Sequence, residues 1–320
     1  MAEPVLSDPK RSQAVLVGVH HYSGLENLPA VAANLEGLRR ALTDPAVWGL
    51  PREACTVIPQ PGSVGEVLDA VREKARLAED TLVVYYAGHG LTDPFTDELY
   101  LGLPDSDPDR EYTSLRYEYL RRAVRDPLAR AQRTVVILDC CYSGRALTGW
   151  MSASTHIADL TEVDGSCLIT ACAETRTSLS PPGETYTAFT GELVTALVEG
   201  VPGRSDLLDM DSLFQHLHKT LSSKSRPLPQ QRNRNTGGGI AIARNRATPG
   251  AAALGGAGAA VRGGAGAAVR GGAGAAVRGG AGPARAREMS WESFAERRRE
   301  MTKLATMMRK RVEQLRRGAA

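Results

Sequence analysis

Four short runs of this chain are apolar at nearly every position: Ala14 to Val19, Thr81 to Tyr86, Thr134 to Leu138 and Cys167 to Thr170. Each is rich in β-branched residues and is followed by a turn or a helical pattern. A strand that is apolar on both faces is buried on both faces, which is the condition of a parallel strand covered by helices above and below. A weaker fifth run, Cys55 to Ile58, follows the turn signal Gly49-Leu-Pro51.

Helical periodicity fills the intervals. Ala30 to Leu42 places Val31, Leu35, Leu38 and Leu42 on one face,. Ser63-Val-Gly-Glu66 has the form of a capping box and opens a pattern through Val67, Leu68, Val71, Ala75 and Ala78,. A third pattern runs from Ser114 to Val124 with Leu115, Tyr119, Leu120 and Ala123, a fourth from Ala188 to Val198, stopped by Gly200, and a fifth from Ser212 to Leu221. Strands alternating with helices predict an α/β fold with a mostly parallel sheet and helices on both faces.

The composition changes near Arg244. The octad GGAGAAVR occurs three times between Gly255 and Arg278 and breaks off at Pro283. It has nothing to fill a core and reads as a flexible linker. From Ser290 the chain carries one apolar stripe, Trp291, Phe294, Met301, Leu304, Met308, Val312 and Leu315, with Glu292 and Glu296 early and Arg316 and Arg317 late. That is the pattern of one amphipathic helix on a tether. The expected organisation is a tail over 1–12, a folded domain over 13–244, a linker over 245–289 and a helix over 290–317.

Charge and composition narrow the partners. The chain has a net charge of +3, yet residues 246–320 carry fifteen Lys+Arg against five Asp+Glu, so a +10 tail follows a −7 body. Such a tail suits an acidic partner or the chain's own body, and with aromatic residues at only 5% a nucleic-acid-binding role is not expected. The terminal helix is expected to take a protein partner, with docking in an apolar groove of the chain's own body and binding to an anionic membrane as the alternatives. The first apolar run is too short and too late for a signal peptide, and no run reaches the length of a membrane span. Five cysteines without framework spacing suit a reducing compartment, so the expected location is the cytoplasm.

Reactive sequences stand at two strand ends, where ligands collect in open parallel sheets. Ala87-Gly-His-Gly90 follows the Thr81 run, and Asp139-Cys-Cys-Tyr-Ser-Gly144 follows the Thr134 run, 52 residues from His89 to Cys141. A thiolate is a strong nucleophile, and a neighbouring histidine takes its proton and returns it to a leaving amine. Glycines flanking His89 leave room for a substrate chain, and backbone N–H groups at Cys141 and near Gly90 are candidates for an oxyanion hole. A thiol redox or metal module built on Cys140 and Cys141 is the rival, but adjacent cysteines make a strained disulfide and no C-x-x-C is present.

YYAGHG followed by VVILDCCYSG resembles the caspase-like superfamily, and its metacaspase and bacterial branch more than the animal caspases. The resemblance runs from Gln13 to about Ala243 and includes GVHHY at the first strand end. It implies a caspase-like fold, a protein or peptide substrate and a cysteine endopeptidase with His89 and Cys141 as the catalytic pair. It also implies a regulatory role in cell death or defence. The third position of the metacaspase pattern D-x-C-H-S-G falls on Cys141, with Tyr142 in place of the usual histidine. Strand alternation agrees: Asp139 and Cys141 share a side, and Cys140 packs on the other. Where animal caspases carry Gln, this chain has Asp139, a substrate-binding carboxylate that would attract Arg or Lys. The second pocket acid of metacaspases falls on Asn34.

No cofactor is required by this chemistry. Calcium, which many metacaspases bind, is the one candidate ion, at the acidic run from Asp93 to Asp109; that run lacks EF-hand spacing and is expected to be a solvated loop. His20 and His21 end the first strand and are expected to form substrate wall or packing. His156, His216 and His218 have no metal-ligand spacing with the cysteines. If cleavage follows arginine, Val-Arg-Gly at Arg262, Arg270 and Arg278, and Arg145 after the nucleophile, are candidate self-cleavage sites. A fold without catalysis, an adaptor working through the terminal helix, is the alternative from another functional class.

Overall fold

The computed structural model describes residues 4–93, 96, 98–141, 165–171 and 183–247. The chain divides into two units, Met1–Gly255 and Gly256–Ala320. The octads, the expected helix over 290–317, Tyr142, Arg145 and His156 lie outside the described residues.

The first unit is organised by a six-stranded sheet. In chain order its strands are β1 (Gln13–Gly18), β2 (Cys55–Pro59), β3 (Thr81–Ala87), β7 (Arg133–Asp139), β8 (Gly165–Thr170) and β10 (Gln230–Asn235). Their spatial order is β10-β8-β7-β3-β1-β2, all parallel except β10, which runs antiparallel to β8. β4 (Gly90–Thr92), β5 (Leu99–Leu101) and β6 (Leu115–Arg116) form a small antiparallel sheet, and β9 (Leu207–Asp209) pairs with β11 (Ala241–Arg244). The helices are α1 (Ala30–Thr43), α2 (Val64–Leu77), α3 (Tyr117–Val124), α4 (Ala188–Glu199) and α5 (Met210–Ser223).

Strand alternation divides the core into two layers. Leu16, Val83, Tyr85, Val135 and Ile137 face the apolar stripes of α1, α4 and α5. Val15, Val84, Tyr86, Val136, Leu138 and Cys140 face α2 and α3. Burying an aliphatic or aromatic side chain of this size contributes about 1.5–3 kcal/mol, so both layers bind helices strongly and the strands must be apolar throughout. Among the described residues no helix is long and apolar enough to cross a membrane.

The five expected parallel strands are present, within a residue or two of their predicted limits. So are the caps: Ser63 Oγ accepts from Glu66 N at 3.1 Å, while Glu66 Oε2 accepts from Gly62 N at 2.7 Å. Gly200 ends α4 with φ +83°, a left-handed angle that suits glycine,.

Three expectations are corrected. The helix expected from Ser114 begins at Tyr117, because Leu115 and Arg116 pair with Leu101 and Tyr100 as β6. Tyr119 consequently points outward, 43% exposed, with the Arg116 guanidinium 5.8 Å from its ring centroid. α5 starts two residues before Ser212, since Asp209 is the cap, its Oδ1 accepting from Ser212 N at 2.7 Å. The acidic stretch from Asp93 to Asp109 is not simply a solvated loop, for it contains β5, whose three residues are all buried. The strand β10, QQRNRN, escaped notice because it is a polar sheet edge, and edges are kept polar against unwanted pairing,.

Candidate active site

The chain leaves β1 for β2 on one side of the sheet, and leaves β3, which lies on the other side of β1, for β7 in the opposite direction. A crevice opens at such a switch point beyond the carboxyl ends of the strands. The ends of β1, β3 and β7 therefore set what can meet there.

β3 and β7 run side by side in a register that puts Ala87 opposite Asp139. The pairing continues one step beyond the strands, where Gly88 N donates to Asp139 O at 3.3 Å. Farther on, Gly90 is seated against Cys141. A Cβ added to Gly90 would overlap the Cys141 carbonyl oxygen and come within 2.9 Å of its carbonyl carbon and 3.2 Å of Cys140 Sγ. Residues 88–90 and 139–141 are thus in backbone contact, and His89 and Cys141 come from adjacent strand ends as the spacing predicted.

His89 is 3% exposed. Its Nε2 lies 2.7 Å from the carbonyl oxygen of Glu26. A carbonyl only accepts, so Nε2 carries the proton and Nδ1 the lone pair. Burial lowers the pKa of His89 from its ordinary value, opposed by the Glu26 carbonyl and the Glu26 charge. A neutral imidazole with a defined lone pair is the form a proton acceptor requires.

Around the ring stands a loop that follows β1. The Tyr22 ring lies 4.7 Å from the imidazole, centroid to centroid and tilted by 56°. Its hydroxyl accepts from His89 N at 2.8 Å. Tyr86 Oη lies 2.7 Å from Gly102 O and 3.0 Å from His89 O. Glu26, Tyr22 and Tyr86 were not identified from sequence. Glu26 acts through a backbone carbonyl, which leaves no residue-type signal, whereas the tyrosine of GVHHY was visible at a strand end.

The two adjacent thiols are unequal. Cys140 is fully buried in the layer under α2 and α3. Cys141, 5% exposed, lies in the turn out of β7. The other described cysteines are remote in chemistry as well as position: burial pushes the Cys55 thiol up to about 11 and that of Cys167 to about 12.

Asp139 and Asn34 do come together. Asn34 Nδ2 is 3.5 Å from Asp139 Oδ2, and the same oxygen accepts from Thr190 Oγ1 at 2.6 Å and from Thr187 Oγ1. Thr187 also caps α4 and is tied to Asn34 by bonds of 2.9 and 3.1 Å. Asp139 thus sits at the amino end of α4, where partial positive charge favours a carboxylate. Tyr85, whose hydroxyl is 2.8 Å from Thr190 Oγ1, is raised well above its ordinary pKa, by burial first and then by the Asp139 charge. The two threonines were missed because a cap and a carboxylate ligand look alike in sequence.

The remaining histidines are elsewhere or differently used. The backbone N–H groups of His20 and His21 donate to Gln60 Oε1 at 2.6 and 3.2 Å, which pins this turn to β2. His216 and His218 lie on α5. In the acidic stretch Asp93 accepts from Thr96 N, Asp105 from Ser23 and Asp107 from Asp109 N. Among the described residues no group of three or more His, Cys, Asp or Glu side chains is arranged to hold a metal ion.

The family model described as the caspase domain matches residues 11–238. Among solved structures, caspase-1 from Spodoptera frugiperda is similar at 14% identity and a TM-score of 0.48, with 72% of this chain and 90% of that chain covered. No curated protein matches the chain. The family match takes in both strand-end motifs and well over half of the residues, and the chain belongs to the caspase domain family.

Proposed function

We propose that the chain is a cysteine endopeptidase in which Cys141 is the nucleophile and His89 the proton carrier. His89 Nδ1 accepts the Cys141 proton as sulfur attacks the peptide carbonyl, and the N–H groups of Gly90 and Cys141 hold the oxyanion. The imidazolium returns the proton to the leaving amine as the C–N bond breaks, which leaves a thioester. Water, deprotonated by the same nitrogen, then releases the acid and restores the thiol. The observation that carries this reading is the seating of Gly90 on the Cys141 peptide, with His89, its Nε2 bonded to the Glu26 carbonyl, immediately before Gly90 in the chain.

Asp139, with Asn34 beside it, is the acidic end of the pocket for the residue before the cut bond, so cleavage follows Arg or Lys. Asn34, Thr187 and Thr190 each donate a hydrogen bond to that carboxylate. The enzyme works in the cytoplasm in a regulatory role, and the 290–317 segment recruits a protein partner.

An arginyl electrophile followed by mass spectrometry tests the assignment. A label on Cys141 that disappears in His89→Ala supports the endopeptidase; an unlabelled wild type favours a caspase-domain adaptor. A peptide panel tests the pocket, and faster cleavage after Asp than after Arg would overturn it.

A further inference from the structure

Two buried tyrosine hydroxyls hydrogen-bond the backbone of His89, one at its N–H and one at its carbonyl. His89 N–H donates to Tyr22 Oη at 2.8 Å, and Tyr86 Oη lies 3.0 Å from His89 O. Tyr86 Oη donates to Gly102 O at 2.7 Å, and Gly102 N–H donates to His89 O at 2.8 Å. Tyr22 and Tyr86 are 4% and 1% exposed. A hydroxyl at such depth is costly unless it is paired, and phenylalanine would fill nearly the same volume. Packing alone therefore does not explain the choice of tyrosine twice.

The loop that supplies Tyr22 also supplies Glu26, whose carbonyl holds His89 Nε2. Asn27 secures it in turn, Oδ1 accepting from Tyr22 N at 2.9 Å. Gly88 shows how closely the hydroxyls are applied to the strand end, since an added Cβ there would lie 2.6 Å from both. One side of the imidazole is thus fixed by a carbonyl, its plane by an aromatic ring and its backbone by two phenols.

We propose that Tyr22 and Tyr86 are positioning residues for His89: their hydroxyls hold its backbone N–H and carbonyl so that the imidazole keeps one tautomer and one orientation. The inference rests on the assignment of His89 as the proton carrier. The titratable groups around this network are Tyr22 and Glu26 from the loop after β1, Tyr86 from β3, and Cys140 and Cys141 from the end of β7. Burial keeps both phenols protonated, and hence able to donate, across the working pH range.

The test is Tyr22→Phe, which retains the ring and deletes the oxygen, with Tyr86→Phe as the second variant. For either, kcat on an arginyl peptide is expected to fall about tenfold with KM within about twofold, since orientation rather than binding is lost. ¹⁵N NMR of the imidazole is expected to show one Nε2–H tautomer in the wild type. In the variants both tautomers should appear, with the titration moved up toward 6.5 as water enters. A folded variant whose kcat and tautomer match the wild type would overturn the proposal, because the hydroxyls would then only satisfy polar groups. So would an Nδ1–H or mixed tautomer in the wild type, a measurement that needs no variant to fold. If the wild type shows no Cys141-dependent cleavage, the peptidase reading fails while the NMR comparison still decides the role of the tyrosines.

Discussion

Replacing Gly90 with alanine tests the contact on which the proposed chemistry depends. Gly90 has no left-handed φ, so alanine meets no backbone strain; the whole effect is steric. The new methyl would overlap the Cys141 carbonyl oxygen, which belongs to the main chain and cannot rotate away. Restoring ordinary contact requires the two backbones to part by on the order of 1 Å, a displacement that costs about 10²-fold when it falls between reacting groups. Overpacking of a tight core site costs about 1–3 kcal/mol, and at roughly 2–4 °C per kcal/mol for a body of this size Tm should fall by about 2–12 °C. Gly239→Ala is the control, because nothing lies within 4 Å of its added carbon; it should stay within about 0.5 kcal/mol of wild type. The assay is kcat/KM on an arginyl peptide beside thermal unfolding by circular dichroism. A Gly90→Ala protein with wild-type Tm and kcat/KM within threefold of wild type would refute the seating of Gly90 on Cys141.

Thr190→Val deletes a hydroxyl bonded to both Asp139 and Tyr85, and should destabilise by about 2–3 kcal/mol in urea; a loss under about 0.5 kcal/mol would contradict the network. The depressed pKa of His89 has a definite sign. Its neutral form is favoured in the folded state, so its contribution to stability is present above 6.5 and is lost as pH falls from there through the folded value. The acid limb of kcat/KM should accordingly have its midpoint below 6.5, and the corresponding slope of stability against pH should vanish in His89→Gln. Iodoacetamide at pH 7.5 should leave Cys55 and Cys167 unmodified in the native protein, since both thiols are buried and raised,; modification before unfolding, read by mass spectrometry, would count against their burial.

Much of this protein is determined by local pattern. Continuous apolar runs mark β1, β3, β7 and β8 because both of their faces are covered. Ser63 and Gly200 announce helix ends because a cap needs only its near neighbours. The 52-residue interval between His89 and Cys141 suffices to place them on separate strand ends.

Tertiary structure decided the rest, wherever a residue's partner lies far along the chain. Leu115 and Arg116 read as helix until β5 offers them a strand to pair with. Polar β10 carries no apolar signature because it is an edge, and its place is set by β8. His89 itself is a sequence feature, but its tautomer is set by the carbonyl of Glu26, 63 residues earlier, and its backbone is held by the hydroxyl of Tyr22, 67 residues earlier. Asp139 similarly acquires its environment from Thr187 and Thr190, 48 and 51 residues later. Backbone periodicity and reactive side chains are local properties and can be read along the chain, whereas protonation, orientation and burial depend on what folding brings alongside.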